Sequence, residues 1–198
     1  MGHRVRVLGL MLGMLVGAVP LVAQTRIDIG GFGGASLPTA TEDDIELYKV
    51  GYTLGGTLRY HPEEWPLGLQ FDGQYMTHAR DVDNTVDGGL DIIGGSISAV
   101  FSFYPETSSF VPYMLIGGGA FNLKAQNPRS LPDSLVYGSQ TKAGVVFGGG
   151  FEYRTFTARL VPYIDLRLVG ILGSDPREGA FITFTGGLKY VLGGDKPR

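Results

Sequence analysis

The side chains best able to do chemistry are few. Beyond the first two dozen residues the histidines are His61 and His78, and the chain has no cysteine. His78 has Asp81 and Asp91 close by and Ser96 further on. A hydroxyl, an imidazole base and an orienting carboxylate are what acyl transfer needs. Nothing in this spacing obliges the three to meet, no enzyme motif accompanies them, and the chain is not read as an enzyme. His61 precedes Pro62 in a segment whose Trp65 and Pro66 read as a turn, so it is expected to be solvated. Asp81, Asp83 and Asp87 alternate as cation ligands do. They lack the glycine at position six and the glutamate at position twelve of an EF-hand loop, so a solvated acidic loop is the reading and a weak surface cation site the alternative. No glycine cluster is followed by Gly-Lys-Ser/Thr, so none cradles phosphate. The absence of cysteine excludes disulfide frameworks and Cys-ligated metal centres. No cofactor and no resident metal are expected.

The remaining chemistry is charge, and its meaning depends on the elements that carry it. Residues 1–23 read as a cleaved secretory signal: Arg4 and Arg6 precede an apolar run from Val7 to Val19, Pro20 ends it, and Ala23 precedes the expected cut. The run is too short for a convincing transmembrane helix. Its removal takes the formal charge from −3 to −5, which argues against a nucleic-acid partner.

After Gln24 the apolar residues recur with period two, the strand period. Eight stretches show it: 26–35, 48–61, 67–78, 91–103, 110–123, 141–154, 162–172 and 180–192. In 162–172, Ile164, Leu166, Leu168 and Leu172 alternate with Asp165 and Arg167. The stretch 110–123 is apolar on both parities, so its facing is ambiguous. These strands approach or exceed the 9–11 residues that a tilted strand needs to cross a bilayer. The connections alternate long and short: 36–47, 79–89 and 124–140 against 61–66, 105–109 and 155–158. That is the rhythm of a membrane barrel with long outer loops and short periplasmic turns, the latter carrying Pro62, Pro66 and Pro105. Only the last outer loop, 173–178, is short.

Three features favour lipid outside. The polar parity is Gly, Ser, Thr and Gln with isolated charges rather than a Lys/Glu-rich soluble surface. Aromatics gather at strand ends, at Tyr60, Trp65, Tyr75, Phe101, Phe103, Phe151, Tyr153 and Tyr190, as in interfacial girdles. Strand length matches the membrane. The polar parity is then the barrel interior, with Lys49, Arg59, Lys142, Arg154, Arg167 and Lys189 against Asp28, Asp72, Glu152 and Asp165. Charges enclosed in so narrow a space must be paired. A stabilising network is the expectation; a gate of exchanging pairs is the alternative. Glycine doublets inside strands, such as Gly55-Gly56 and Gly94-Gly95, suit the curvature of a small closed barrel.

These residues resemble the small eight-stranded outer-membrane barrels of the OmpA/OmpX type. Val111-Pro112-Tyr113 followed by Gly117-Gly118-Gly119 looks like a strand opening of that family, and Val161-Pro162-Tyr163 repeats it. Thr185, Gly187, Tyr190 and Leu192 are similar to the signal read by the barrel-assembly machinery, although the family usually ends on an aromatic residue. The resemblance implies an all-β, eight-stranded, antiparallel, up-and-down transmembrane barrel over 24–192, with a short polar tail at 193–198. It implies a monomer in the outer membrane, among lipid and lipopolysaccharide. The expected role is structural, or surface interaction through the outer loops. The alternatives are a narrow pore or a carrier for small or apolar molecules, a lipid A-modifying enzyme, or a soluble lipocalin-like binder.

Overall fold

The computed structural model describes residues 25–39, 48–62, 67–82, 85–103, 109–126, 139–154, 159–173 and 179–192. The leader 1–23, the tail 193–198, Trp65, Asp83, Pro105 and most of the loops at 36–47 and 124–140 lie outside them. The described chain forms eight strands: β1 (Thr25–Pro38), β2 (Gly51–Pro62), β3 (Leu67–Val82), β4 (Thr85–Ser102), β5 (Phe110–Gln126), β6 (Gln140–Tyr153), β7 (Leu160–Ile171) and β8 (Ala180–Leu192). Each pairs antiparallel with its sequence neighbour, and β1 pairs with β8 to close the barrel. Closure leaves no strand edge unpaired along the wall.

The register fixes the shape. Cross-strand partners run from Ile27 through Tyr60, Leu69, Ala99, Ile116, Phe147, Leu168 and Ile182 to Leu37, ten residues further along β1. With about 3.3 Å per residue and about 4.8 Å between strands, that stagger tilts eight strands by roughly 40° around a backbone radius of about 8 Å. Side chains can fill such a bore.

The alternation of sequence becomes an inverted distribution of polarity. Outward-facing Ile29, Leu58, Phe71, Ile97, Phe147, Leu166 and Phe184 are 42–56% exposed, whereas inward-facing Arg59, Glu152 and Lys189 are at most 1% exposed. A soluble barrel with that exterior would present an apolar patch far beyond what water tolerates, so the lipocalin-like alternative is set aside. At the end that carries the termini, the inner end, Tyr60, Phe101, Phe103, Phe110, Phe151, Tyr153 and Tyr190 face outward, with Phe110 and Tyr153 rings 5.0 Å apart. The opposite, outer end has the pair Tyr52 and Tyr75, 6.2 Å apart.

Two expectations about elements change. The stretch 79–89, expected to be a polar loop, is largely a continuation of the hairpin: β3 runs to Val82 and β4 begins at Thr85, with a register shift between Ala79 and Asp81 and a positive φ of 81° at Gly88. This end of the hairpin rises above the apolar band, where no lipid imposes alternation on the sequence. Likewise β5 continues to Gln126. The ambiguous facing of β5 is also resolved: Val111, Tyr113, Leu115, Phe121 and Leu123 point inward, and Phe110, Met114 and Ile116 outward. Phe121 and Leu123 join an apolar cluster in the outer half of the interior, with Met76, Leu90, Ile92, Val169 and Phe181 among its members, while Val111, Tyr113 and Leu115 line the inner half beside the charged side chains.

Glycine serves that cluster directly. The Phe121 ring lies against Gly94 and Gly144, and a Cβ on Gly144 would come within 2.7 Å of it. Gly73, facing outward, has nothing within 4 Å of such a Cβ.

Candidate functional site

The barrel interior brings together most of the charges read from the sequence. Period-two spacing sets Gln70 with Asp72, Glu152 with Arg154, and Asp165 with Arg167 on the inward face of their strands. Strand closure then joins these pairs across the bore.

Two carboxylate centres result. Glu152 Oε1 accepts hydrogen bonds from Arg59 Nη1 and, at 2.8 Å, from Lys189 Nζ; Glu152 Oε2 accepts from Arg154 Nη2 at 2.5 Å and Nε at 2.9 Å. Arg167 is the hub of the second centre. It donates to Asp72 Oδ2 at 3.0 Å and to Asp165 Oδ2 at 2.6 Å, and Asp165 also accepts from Tyr113 Oη at 3.1 Å and Thr185 Oγ1 at 2.5 Å. Gln70 links the centres: its Oε1 accepts from Arg59 at 2.8 and 2.6 Å, and its Nε2 donates to Asp72 at 3.0 and 2.9 Å. Lys189 Nζ and the Arg59 guanidinium also lie over the Tyr113 ring, at 5.1 and 4.6 Å, and Lys189 over Tyr163 at 4.1 Å. Such cation–ring contacts replace part of the lost hydration. Asp28 accepts from Arg26 at 2.6 Å.

Two of the expected interior cations are placed differently. Lys49 is exposed, just before β2 begins, and its amide donates to Ala79 O. The β2 alternation places it inside only when extended past the strand's start at Gly51. Lys142 is on the inward parity of β6, half-buried opposite Phe121, in the apolar half rather than in either carboxylate centre. The network partners that charge alone does not reveal are Gln70, Tyr113 and Tyr163; inward parity marks Gln70 and Tyr163, whereas Tyr113 lies in the stretch of ambiguous facing.

Among the described residues the acyl-transfer set does not assemble; the Asp81 side chain lies outside them. Asp91 faces outward at the outer rim, accepting from Tyr75 Oη at 2.9 Å and Gln126 Nε2 at 3.0 Å, while Ser96 is buried inside. His78 is buried inside too, with its ring nitrogens at Ser36 Oγ and Lys49 O, 3.2 Å each. Neither partner is a carboxylate. His61, expected to be solvated, is buried at the inner end because β2 extends to Pro62 and turns it inward. Among the described residues no group of three or more His, Asp or Glu side chains is arranged to hold a metal ion. Of the expected assembly signal, Thr185 and Gly187 face inward, Gly187 against the Tyr163 ring, while Tyr190 and Leu192 face outward.

Solved structures of low sequence identity share this architecture. A crystal structure of Neisserial surface protein A is 13% identical, with a TM-score of 0.58 over 84% of this chain and 96% of that one. The outer membrane protein OprG from Pseudomonas aeruginosa is 15% identical, with a TM-score of 0.59 over 87% and 97%. The chain has the fold of the eight-stranded outer-membrane β-barrels. Ail, the attachment invasion locus protein of Yersinia pestis, is 17% identical, with a TM-score of 0.50 over 85% and 97%. No family model matches the sequence, and no curated protein does. As an outer-membrane-type barrel, the protein has an interior closed at two levels, ionic near the inner end and apolar near the outer end.

Proposed function

We propose that the protein is a closed outer-membrane barrel with a structural or surface-interaction role, exercised through its outer loops at 36–47, 79–89 and 124–140. The observation that carries this reading is the filled interior. The layer around Glu152 and Arg167 occupies the inner half, and the apolar cluster around Phe121 and Phe181 the outer half. An ion crossing the bore would have to break buried pairs and then shed its water among hydrocarbon side chains. The extended β3–β4 hairpin and the end of β5 support the same reading, because they carry polar side chains such as Asp91 and Gln126 above the apolar band. The partners proposed are outer-membrane lipid and lipopolysaccharide around the wall. The barrel-assembly machinery would read Thr185, Gly187, Tyr190 and Leu192 during insertion of a monomer.

Planar-bilayer recording tests the proposal. A silent barrel agrees with it; discrete, reproducible conductance steps would overturn it. The apolar outer half favours a second reading, a carrier for small apolar molecules. Uptake of an apolar dye by vesicles that hold the barrel, and its change on Phe121→Ala, separates the carrier from the closed structural barrel.

A further inference from the structure

One polar group in the apolar outer half takes no part in the ionic network. Met76 and His78 are two residues apart on β3 and both point inward; they meet Ser36, which comes from β1. The strand between them contributes Gly51 opposite Ser36, where a Cβ would lie 2.8 Å from His78 Nδ1. Glycine there admits the Thr77 carbonyl, which such a Cβ would overlap, and leaves room for the Nδ1 side of the imidazole. Ser36 Oγ is 3.2 Å from His78 Nε2 and 3.6 Å from Met76 Sδ.

We propose that Met76 and His78, gathered around Ser36, form a binding site for a soft monovalent metal cation of the Cu(I) and Ag(I) class. The argument is one of lone pairs. His78 Nδ1 lies 3.2 Å from the Lys49 carbonyl, which only accepts, so the ring proton sits on Nδ1 and Nε2 presents its lone pair inward. A carbonyl that accepts from the far ring nitrogen is the usual way a metal-binding imidazole is oriented. The Ser36 hydroxyl has one proton for two acceptors, Nε2 and Sδ, so one soft donor always lacks a partner. All three side chains are buried, and the Phe181 ring is 5.1 Å from the imidazole.

The donor set selects the ion. A thioether and a neutral imidazole suit soft ions, whereas hard cations want carboxylate and carbonyl oxygens. Among the described residues the contacts of Ser36 and His78 include no carboxylate, so a dication would find no counter-charge among them, at high cost. Zinc would also lack its usual four ligands.

The sequence makes the test clean. Beyond residue 24 the methionines are Met76 and Met114, and Met114 faces outward on β5. The folded barrel, labelled with 13C-methyl methionine in detergent micelles, is titrated with Ag(I) and observed by NMR. The Met76 methyl resonance is expected to shift and to saturate at one equivalent while Met114 stays in place. His78→Gln, checked for folding by its unheated gel mobility, should weaken binding at least tenfold, and Zn(II) should shift neither methyl. The proposal is overturned if Met76 does not respond to one equivalent of Ag(I), if Met114 responds equally, or if folded His78→Gln binds as tightly as the parent. Should His78→Gln not fold, Ser36→Ala, which removes the competing hydroxyl, must bind at least as tightly as the parent; loss of binding in it would overturn the proposal as well.

Discussion

Glu152→Gln removes the anion on which three cations converge. Arg59, Lys189 and Arg154 all reach the Glu152 carboxylate, Lys189 at 2.8 Å and Arg154 at 2.5 Å, and the carboxylate is fully buried. At an effective dielectric of about 20, each pair near 4 Å is worth roughly 4 kcal/mol of gross attraction. Much of that gross sum offsets the desolvation of four charged groups. Removing one partner of a buried pair typically costs about 3–5 kcal/mol, because the surviving charge is stranded. Loss of a proton from Lys189 would relieve part of this, so a cost of about 3 kcal/mol is expected. Asp72→Asn provides the internal comparison. Arg167 retains Asp165 when Asp72 is lost, so about half that cost is expected. The assay is urea unfolding of the barrel refolded into vesicles, read by the shift between folded and unfolded gel mobility. If Glu152→Gln costs less than about 1 kcal/mol, the usual value of an exposed pair, or if Asp72→Asn costs more, the reading of Glu152 as the charge centre of the inner half fails.

Other outcomes follow from packing and from the lipid face. Gly144→Ala should destabilise by about 1–3 kcal/mol because it drives a methyl into the Phe121 ring. Gly73→Ala, where the added methyl meets nothing, should be neutral or stabilising by up to about 1 kcal/mol; equal urea midpoints for the two variants would contradict the packing account. Leu166→Arg, on the lipid face of β7, should cost about 2–4 kcal/mol in vesicles, a loss that the same titration reads. Phe121→Ala should cost about 3–5 kcal/mol through the cavity left between β4 and β6, and an unchanged midpoint would remove Phe121 from the core.

How much of this was legible in the sequence can be seen strand by strand. In β7 every inward and outward residue follows from alternation, because lipid on one side and the ionic layer on the other act on it along most of its length. The strand count and the pairing of Asp72, Glu152, Asp165 and Arg167 inside follow from the same rule. The upper parts of β3 and β4 were misread as a loop because they leave the membrane, and with it the force that separates polar from apolar. Lys49 was misplaced because alternation does not mark where a strand starts. The meeting of Ser36 with His78 was invisible for another reason. It depends on the register between β1, β2 and β3 and on the missing side chain at Gly51, and two-residue periodicity fixes register between strands only to within an even number of residues.

The central claim is that this barrel is inside out: hydrocarbon meets Ile164, Leu166 and Leu168, while Asp165 and Arg167 are enclosed. The cysteine-free chain allows single spin labels to be placed by cysteine substitution at Ile164, Leu166 and Leu168 in vesicle-reconstituted protein. Electron paramagnetic resonance should find all three labels frequently relaxed by dissolved oxygen, which concentrates in lipid, and shielded from a water-soluble nickel chelate. Labels relaxed by the chelate and not by oxygen, or a protein that stays in the aqueous phase, would contradict the account.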